Sequence, residues 1–298
     1  MNALFITGPT AVGKTGIALQ VAERCNGEII GADAFQVYKG LNVLTAKPSP
    51  EELQRVRHHL VDIVPPSESY DVAQYLSAAT RCADEITSRG KLPIFVGGTG
   101  LYIRALTHGL SDLPKADAAI RAELDAATLE QLQKRYSALD PEGAKKIDLK
   151  NKRRLVRAIE VCLLTGKPFS SFREEWKAAP ESVTGFFLTR DRDDLHERIG
   201  KRVEWMFCNG AVEEVRGTTD TGATASQAIG FKEIQLYLKG AINEGDCIEQ
   251  IKQATRQYAK RQITWFKRET MFEAVNLSSI QDLESAVQLI ARKAGTIS

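Results

Sequence analysis

"GPTAVGKT" occupies Gly8–Thr15, directly after the apolar run "ALFIT" at Ala3–Thr7. The spacing is G-x-x-x-x-G-K-T, that of a loop whose backbone N–H groups close around a phosphate. Glycines let the backbone come close, and the helix start favours the anion. Lys14 adds a positive charge, and Thr15 offers a hydroxyl to Mg²⁺. A strand before the loop and a helix from Lys14 to about Cys25 supply the context the motif needs. The motif says that phosphates are held, not whose they are or where they go.

Outward from this loop, strand and helix alternate. "EIIGAD" reads as a second strand ending at Asp33 and "HLVDIV" as a third. "DVAQYLSAATRCADEITSRG" reads as a helix, capped by Asp71 and stopped by Gly90. "LPIFVGG" is continuously apolar, as a strand covered on both faces of a parallel sheet would be. The alternation predicts a doubly wound α/β sheet of P-loop NTPase-like architecture, with sites at the carboxyl ends of its strands. Three such ends carry marked residues: the P-loop, Asp33 and "GGTG" at Gly97–Gly100. Charged helical segments punctuated by Pro114, Pro141 and Pro168 follow, predicting an all-helical insertion over residues 114–182. "GFFLTR" (Gly185–Arg190) reads as a strand rejoining the sheet. Helices are expected over Asp193–Asn209, Gly230–Leu238 and Asp246–Arg268, so the core comprises residues 1–113 and 183–298 with a helical C-terminal region.

The 298 residues, 43% hydrophobic and 26% charged, suit a soluble globular protein with a sizeable core. Nothing approaches eighteen consecutive apolar residues, so no membrane span is expected. The five cysteines are scattered without a C-x-x-C pair, which argues for reduced thiols in a cytoplasmic protein and against a zinc site. Net charge is only +2, but the basic residues are segregated. Gln250–Arg268 contains Lys252, Arg256, Lys260, Arg261, Lys267 and Arg268 and no acid. Lys145–Arg157 sets seven basic residues against Asp148 alone. Such segregation suits a polyanion-binding surface. On a helix Lys252, Arg256 and Lys260 form one stripe.

Two further elements carry candidate chemistry. Asp33, at a strand end beside the P-loop, suits either a helix-capping or metal-associated carboxylate or a general base. Arg198 and Arg202 recur at i, i+4 on one helix face, which suits either solvation or bidentate binding of phosphate. His58, His59 and His196 lack metal-like spacing and read as structural.

Taken in order, "GPTAVGKT", "ADAFQVYKGLNVLTAKP", "HHLVDI", "VGGTGLYIRAL", "RRLVRAIEV", "LHERIGKRV", "QAIGFKE" and "TRQYAKRQITWF" resemble the tRNA dimethylallyltransferases over about Ala3 to Arg268. The resemblance implies transfer of a dimethylallyl group from dimethylallyl diphosphate to N6 of adenosine 37 of tRNA. It also answers the question the P-loop leaves open: the phosphates would be those of an isoprenoid. Asp33 would be the base, acting with Thr10 and Arg202. Gly8, Pro9, Thr10, Ala11, Val12, Gly13, Lys14 and Thr15, with Arg198 and Arg202, would hold the diphosphate, with Mg²⁺ on Thr15. Thr99 and Arg121 would approach the tRNA anticodon stem-loop. So would Asp33, Ala34, Phe35 and Gln36, then Arg153, Arg154, Leu155, Val156 and Arg157, then Thr255, Arg256, Lys260, Arg261 and Gln262.

Ala34 stands where the family usually has Ser, and Leu44 where it usually has Gly. No zinc-finger extension is present, which implies a bacterial-type enzyme, expected to be a monomer. The rival readings are an adenylate isopentenyltransferase acting on a free nucleotide, a P-loop nucleotide kinase, and a non-catalytic RNA-binding protein. The basic helix argues against the first, and the complete P-loop with Asp33 would be superfluous in the last.

Overall fold

The computed structural model describes residues 2–110, 113–173, 183–269, 271–280 and 282–295. The expected end of the insertion at 182 lies outside the described residues. Six parallel strands form one sheet: β1 (Leu4–Thr7), β2 (Gly27–Gly31), β3 (His58–His59), β4 (Leu92–Gly97), β5 (Thr184–Thr189) and β6 (Glu273–Asn276), in the spatial order β3-β2-β4-β1-β5-β6. Around the first four strands lie α1 (Lys14–Arg24), α2 (Pro50–Arg55), α3 (Val72–Ser88) and α4 (Gly100–His108). The chain divides into two compact units, Met1–Thr107 with Pro180–Ser298, and His108–Ala179.

All four residues of β1 are buried, because helices cover the sheet on both sides. Alternation sends Leu4 and Ile6 into one core and Phe5 into the other. On the second face Phe5 stacks on Phe95 at 4.9 Å. Asp71 caps α3 in a capping box with Gln74, as the sequence predicts.

The second unit contains α5 (Ala118–Ala126), α6 (Leu129–Leu139), α7 (Pro141–Ala144) and α8 (Lys152–Thr165) around a core that includes Leu124, Leu132, Tyr136, Leu155 and Ile159. In it the fully buried Glu160 accepts bonds from Arg121 Nε (2.9 Å), Arg157 Nη1 (2.5 Å) and the Asp117 N–H (2.9 Å). Burial alone would raise its carboxyl, but the Arg121 and Arg157 hydrogen bonds outweigh burial and hold it low. The first unit continues with α9 (Arg192–Cys208), α10 (Ala211–Gly217), α11 (Phe231–Leu238), α12 (Glu244–Phe266) and α13 (Leu283–Ala294).

Two sequence expectations need correction. "HLVDIV" is not a six-residue strand, because pairing stops at His59. Leu60 and Asp62 both take φ of 59°, which a strand cannot accommodate. The chain turns instead to bond the 36–39 segment, Asp62 N–H to Gln36 O and Ile63 N–H to Val37 O. The C-terminal region is also not wholly helical. "EAVN" forms edge strand β6, pairing Phe186 with Glu273 and Thr189 with Asn276. Only Val275 of β6 is buried, so the strand owes its existence to β5 rather than to its own pattern.

Glu28, 2% exposed in β2, accepts from His59 (2.7 Å) and Arg89 (2.7 Å), and its other oxygen pairs with Lys91 at 3.0 Å. Burial alone would raise its carboxyl, but the His59 and Lys91 hydrogen bonds and the Arg89 and Lys91 charges bring it down from 4.5 to about 2. A folded value below the unfolded one contributes stability above pH 4.5 that is lost as pH falls toward 2. Glu28→Gln is therefore expected to be less stable than wild type at pH 7. In urea titrations stepped from pH 6 to 2.5 the gap should narrow with acid, and a constant gap would refute the assignment.

Candidate active site

The P-loop turns at the carboxyl end of β1, and Gly13, at φ 107°, caps α1 with no side chain in the way. The first turn of α1 carries no acidic residue, so its N-terminal amides and dipole favour an anion. Cations hold the loop along its length. Lys14 Nζ donates to the carbonyls of Gly8 (2.9 Å) and Pro9 (2.8 Å). From α9, Arg202 Nη1 donates to Thr10 Oγ1 at 3.0 Å and Arg198 Nε to the Ala11 carbonyl at 2.9 Å. Arg190 Nε donates to the Val12 carbonyl at 2.9 Å and is itself paired with Asp194 at 2.8 Å. An ammonium has three donors, so Lys14 retains one N–H beyond its two carbonyls. Burial, countered by Asp33 and reinforced by Arg202, lowers the Lys14 amine to about 8. Arg202 is lowered by burial and supported by Asp33.

Asp33 lies two residues beyond β2. Its Oδ1 accepts from the N–H groups of Phe35 (2.9 Å) and Gln36 (3.4 Å), which fixes the carboxylate against the turn that follows. Thr99 Oγ1 accepts from the Ala34 N–H at 2.9 Å and so ties the β2 end to the β4 end. Gln36 Nε2 donates to the carbonyls of Thr45 (3.2 Å) and Ala46 (2.8 Å), closing the loop between them.

Gln262, from α12, bridges two strand ends: its Oε1 accepts from the Thr10 N–H at 2.8 Å, and its Nε2 donates to the Gly98 carbonyl at 2.9 Å. Gly98 is required there, since a Cβ would fall 2.2 Å from Gln262 Nε2. Tyr258, one turn earlier, has its phenol pushed well up by burial.

Some of these residues line one cleft of about 490 Å³, counting its open mouth. Thr10, Asp33, Arg202 and Tyr258 line its polar part, and Phe35, Leu44, Met206, Ile229 and Ile251 are among its apolar lining. The arrangement is an anion cradle beside a carboxylate and a hydrocarbon-lined recess.

Other expected site residues fall elsewhere. Arg153 and Arg154 are exposed on α8, but Leu155 and Val156 are buried in the second unit's core, and Arg121 and Arg157 are committed to Glu160. Thr255 is buried, bonds the Ile251 carbonyl within α12 and lines the cleft. Gln262 is also buried, so neither belongs to the exposed surface. Lys260 and Arg261 are exposed and Arg256 half-buried. The expected stripe loses Lys252, which pairs with Glu204 (2.8 Å) and Glu249 (2.9 Å).

Arg190 and Tyr258 are absent from the sequence-based site. Tyr258 was detectable, since it lies four residues before Gln262 on the same helix face. Arg190 gave no signal, because its partner Val12 is 178 residues away.

The sequence model of the IPP transferase family matches residues 36–269, and that of the isopentenyl transferases residues 1–65. A tRNA dimethylallyltransferase of Akkermansia muciniphila is 41% identical over 98% of this chain and 99% of its own. One from Geobacter metallireducens is 45% identical over 90% of each. The solved tRNA isopentenylpyrophosphate transferase of Bacillus halodurans superposes with a TM-score of 0.74 at 37% identity, over 100% of this chain and 97% of that one. A eukaryotic dimethylallyltransferase acting on tRNA gives 0.84 at 28% identity, over 99% of this chain and 79% of that one.

Lys14 must carry its proton to hold an anion. Affinity for inorganic diphosphate is therefore expected to fall as pH rises through about 8, with proton uptake on binding above that pH. Calorimetry in buffers of different ionisation enthalpy measures the uptake, and Lys14→Met should lose the part due to this amine. Equal uptake in wild type and variant would refute the link. By sequence and by fold, the chain belongs to the tRNA dimethylallyltransferase family.

Proposed function

We propose that this protein transfers a dimethylallyl group from dimethylallyl diphosphate to N6 of adenosine 37 in tRNA, releasing diphosphate. One observation carries the reading: a single cleft joins the P-loop side chain Thr10 and the cation Arg202 to Asp33 and to an apolar recess. A hydrocarbon bearing a diphosphate has those two ends. The second observation that supports it is the tRNA for which the reported relatives are named.

In the proposed reaction the C1–O bond to diphosphate breaks and its electron pair leaves with the diphosphate. The N6 lone pair forms the new C–N bond, and the N6 proton passes to Asp33. The departing charge meets groups already in place: the P-loop amides, the remaining N–H of Lys14, and Arg202. Among the described residues no three His, Cys, Asp or Glu cluster as a metal cage. A Mg²⁺ bound by the Thr15 hydroxyl and diphosphate oxygens fits this donor set, as Mg²⁺ favours substrate phosphates, and when bound it would neutralise leaving-group charge. The adenine must leave its stack to reach Asp33. Lys260 and Arg261 on α12, with Arg153 and Arg154 on α8, supply candidate phosphate contacts. No helix among the described residues is long and apolar enough to cross a membrane, and we infer a monomer working in the cytoplasm.

Nucleoside mass spectrometry of an anticodon stem-loop incubated with protein, Mg²⁺ and dimethylallyl diphosphate tests the reading. Prenylated adenosine is expected with adenosine at position 37, and none with guanosine there or with AMP as acceptor. Asp33→Asn should lower transfer by roughly 10²–10⁴-fold with tRNA binding within a few-fold of wild type. Transfer at wild-type rate would remove Asp33 as base. Lys260→Glu with Arg261→Glu should flatten the salt dependence of tRNA affinity by roughly 0.7–0.9 per lost contact and leave diphosphate binding unchanged. An unchanged slope would move the RNA surface elsewhere.

A further inference from the structure

Among the described residues that line the cleft, two are aromatic, Phe35 and Tyr258. Each is held in register with part of the proposed reaction centre. The Phe35 N–H donates to Asp33 Oδ1 at 2.9 Å, which ties its backbone to the proposed base. Tyr258 lies one turn before Gln262 on α12, and Gln262 is fixed at both ends, to the Thr10 N–H and to the Gly98 carbonyl. A helix is stiff over one turn, so Tyr258 keeps its place relative to the P-loop. After burial, the Asp33 charge is the next cause of its raised phenol, which puts the ring within electrostatic reach of the base.

Tyr258 differs from Phe35 in its surroundings. Lys260 and Arg261, both exposed, follow it on the same helix, and the Arg261 guanidinium lies over the Tyr258 ring at 5.6 Å from the centroid. A cation in that place is attracted to the ring face and restrains it. One side chain thus connects the cleft with the basic surface proposed to meet RNA phosphates.

The acceptor base makes a demand that the P-loop and Asp33 do not meet. An adenine drawn out of its loop loses the stacking of its neighbours, and it must be held with its N6 edge toward Asp33. The aliphatic lining suits a prenyl group. A planar base is held best by a planar side chain. We propose that Tyr258 is the stacking platform for the extruded acceptor adenine. The inference rests on the proposed transfer to tRNA, and it assigns the residue that holds the acceptor base rather than its phosphates.

The test compares a stem-loop carrying adenosine at position 37 with one that is abasic there. Inorganic diphosphate and Mg²⁺ replace the donor, so that no transfer occurs. Fluorescence anisotropy gives Kd for wild type, Tyr258→Phe, Tyr258→Leu and Phe35→Leu. The quantity read is the abasic-to-adenosine ratio of Kd, in which the cost of unstacking and the phosphate contacts cancel between proteins. Tyr258→Leu should lower this ratio roughly fivefold to a hundredfold, the span for one base on one aromatic ring. Tyr258→Phe keeps the ring and should hold the ratio within twofold. Lost packing alone would weaken both RNAs equally and leave the ratio unmoved. In wild type, a stem-loop with 8-azidoadenosine at position 37 should label Tyr258 on irradiation, which keeps the proposal testable if Tyr258→Leu fails to fold. A ratio unchanged in Tyr258→Leu, a fall confined to Phe35→Leu, or photolabel found only away from Tyr258 would overturn this inference alone, provided wild type prenylates the adenosine stem-loop. Wild type that fails to prenylate it from dimethylallyl diphosphate would overturn the functional reading beneath.

Discussion

The site depends on how cations hold the P-loop. Lys14, Arg202, Arg198 and Arg190 take up in turn the carbonyls of Gly8 and Pro9, the hydroxyl of Thr10, the carbonyl of Ala11 and that of Val12. In a trans peptide the carbonyl and the N–H point to opposite sides. Drawing the Ala11 carbonyl toward Arg198 and the Val12 carbonyl toward Arg190 turns the Gly13 amide the other way, while the Val12 N–H meets the Pro9 carbonyl at 3.4 Å. Fixed in advance, such amides need no rearrangement when an anion arrives. The cost is like charge crowded together. It is visible in Lys14, where burial and the neighbouring Arg202 bring the amine down to about 8. Asp33 is the charge that offsets both. The carboxylate proposed as base thus also steadies the cradle.

Helix α12 gives the same arrangement its second fixed point. Its inner face carries Ile251, Thr255, Tyr258 and Gln262 into the cleft and onto the strand ends, and its outer face carries Lys260 and Arg261. Gln262 ties β1 to β4 through Thr10 and Gly98, and Thr99 at the β4 end holds the residue after Asp33. The P-loop and the β4 end are thus registered against one helix. If RNA binds the outer face, it binds the element whose inner face holds Thr10. A shift of α12 along its axis would then alter donor and acceptor sites together.

What the sequence revealed follows the range of the interactions. Local signals were readable: the P-loop spacing, the apolar run of β4, the cap at Asp71, and the pairing of Arg198 with Arg202 on one face. Signals set by distant partners were not. β6 has a single buried residue and exists because β5 offers an edge. "HLVDIV" has a strand's composition, but Leu60 and Asp62 take left-handed backbone conformations that composition does not encode. An acid-free stretch of α12 did not leave Lys252 unpaired, because Glu204 on α9 reaches it across 48 residues. Leu155 and Val156 show the opposite error. A basic segment was read as one surface, although helical periodicity buries its apolar pair under exposed Arg153 and Arg154.

The apolar recess shows why such a site is hard to read from motifs alone. Its walls come from the segment after β2, from α9, from the 228–229 turn and from α12, and none has a residue type that announces hydrocarbon binding. Leu44, Met206, Ile229 and Ile251 would pass for core residues in any helical protein. They differ from core because their apolar faces meet one another beside Thr10 and Arg202 rather than inside a filled interior. A diphosphate cradle alone serves any phosphorylated ligand. The recess is what narrows the ligand to one with a hydrocarbon arm, and the P-loop sequence carries no information about it.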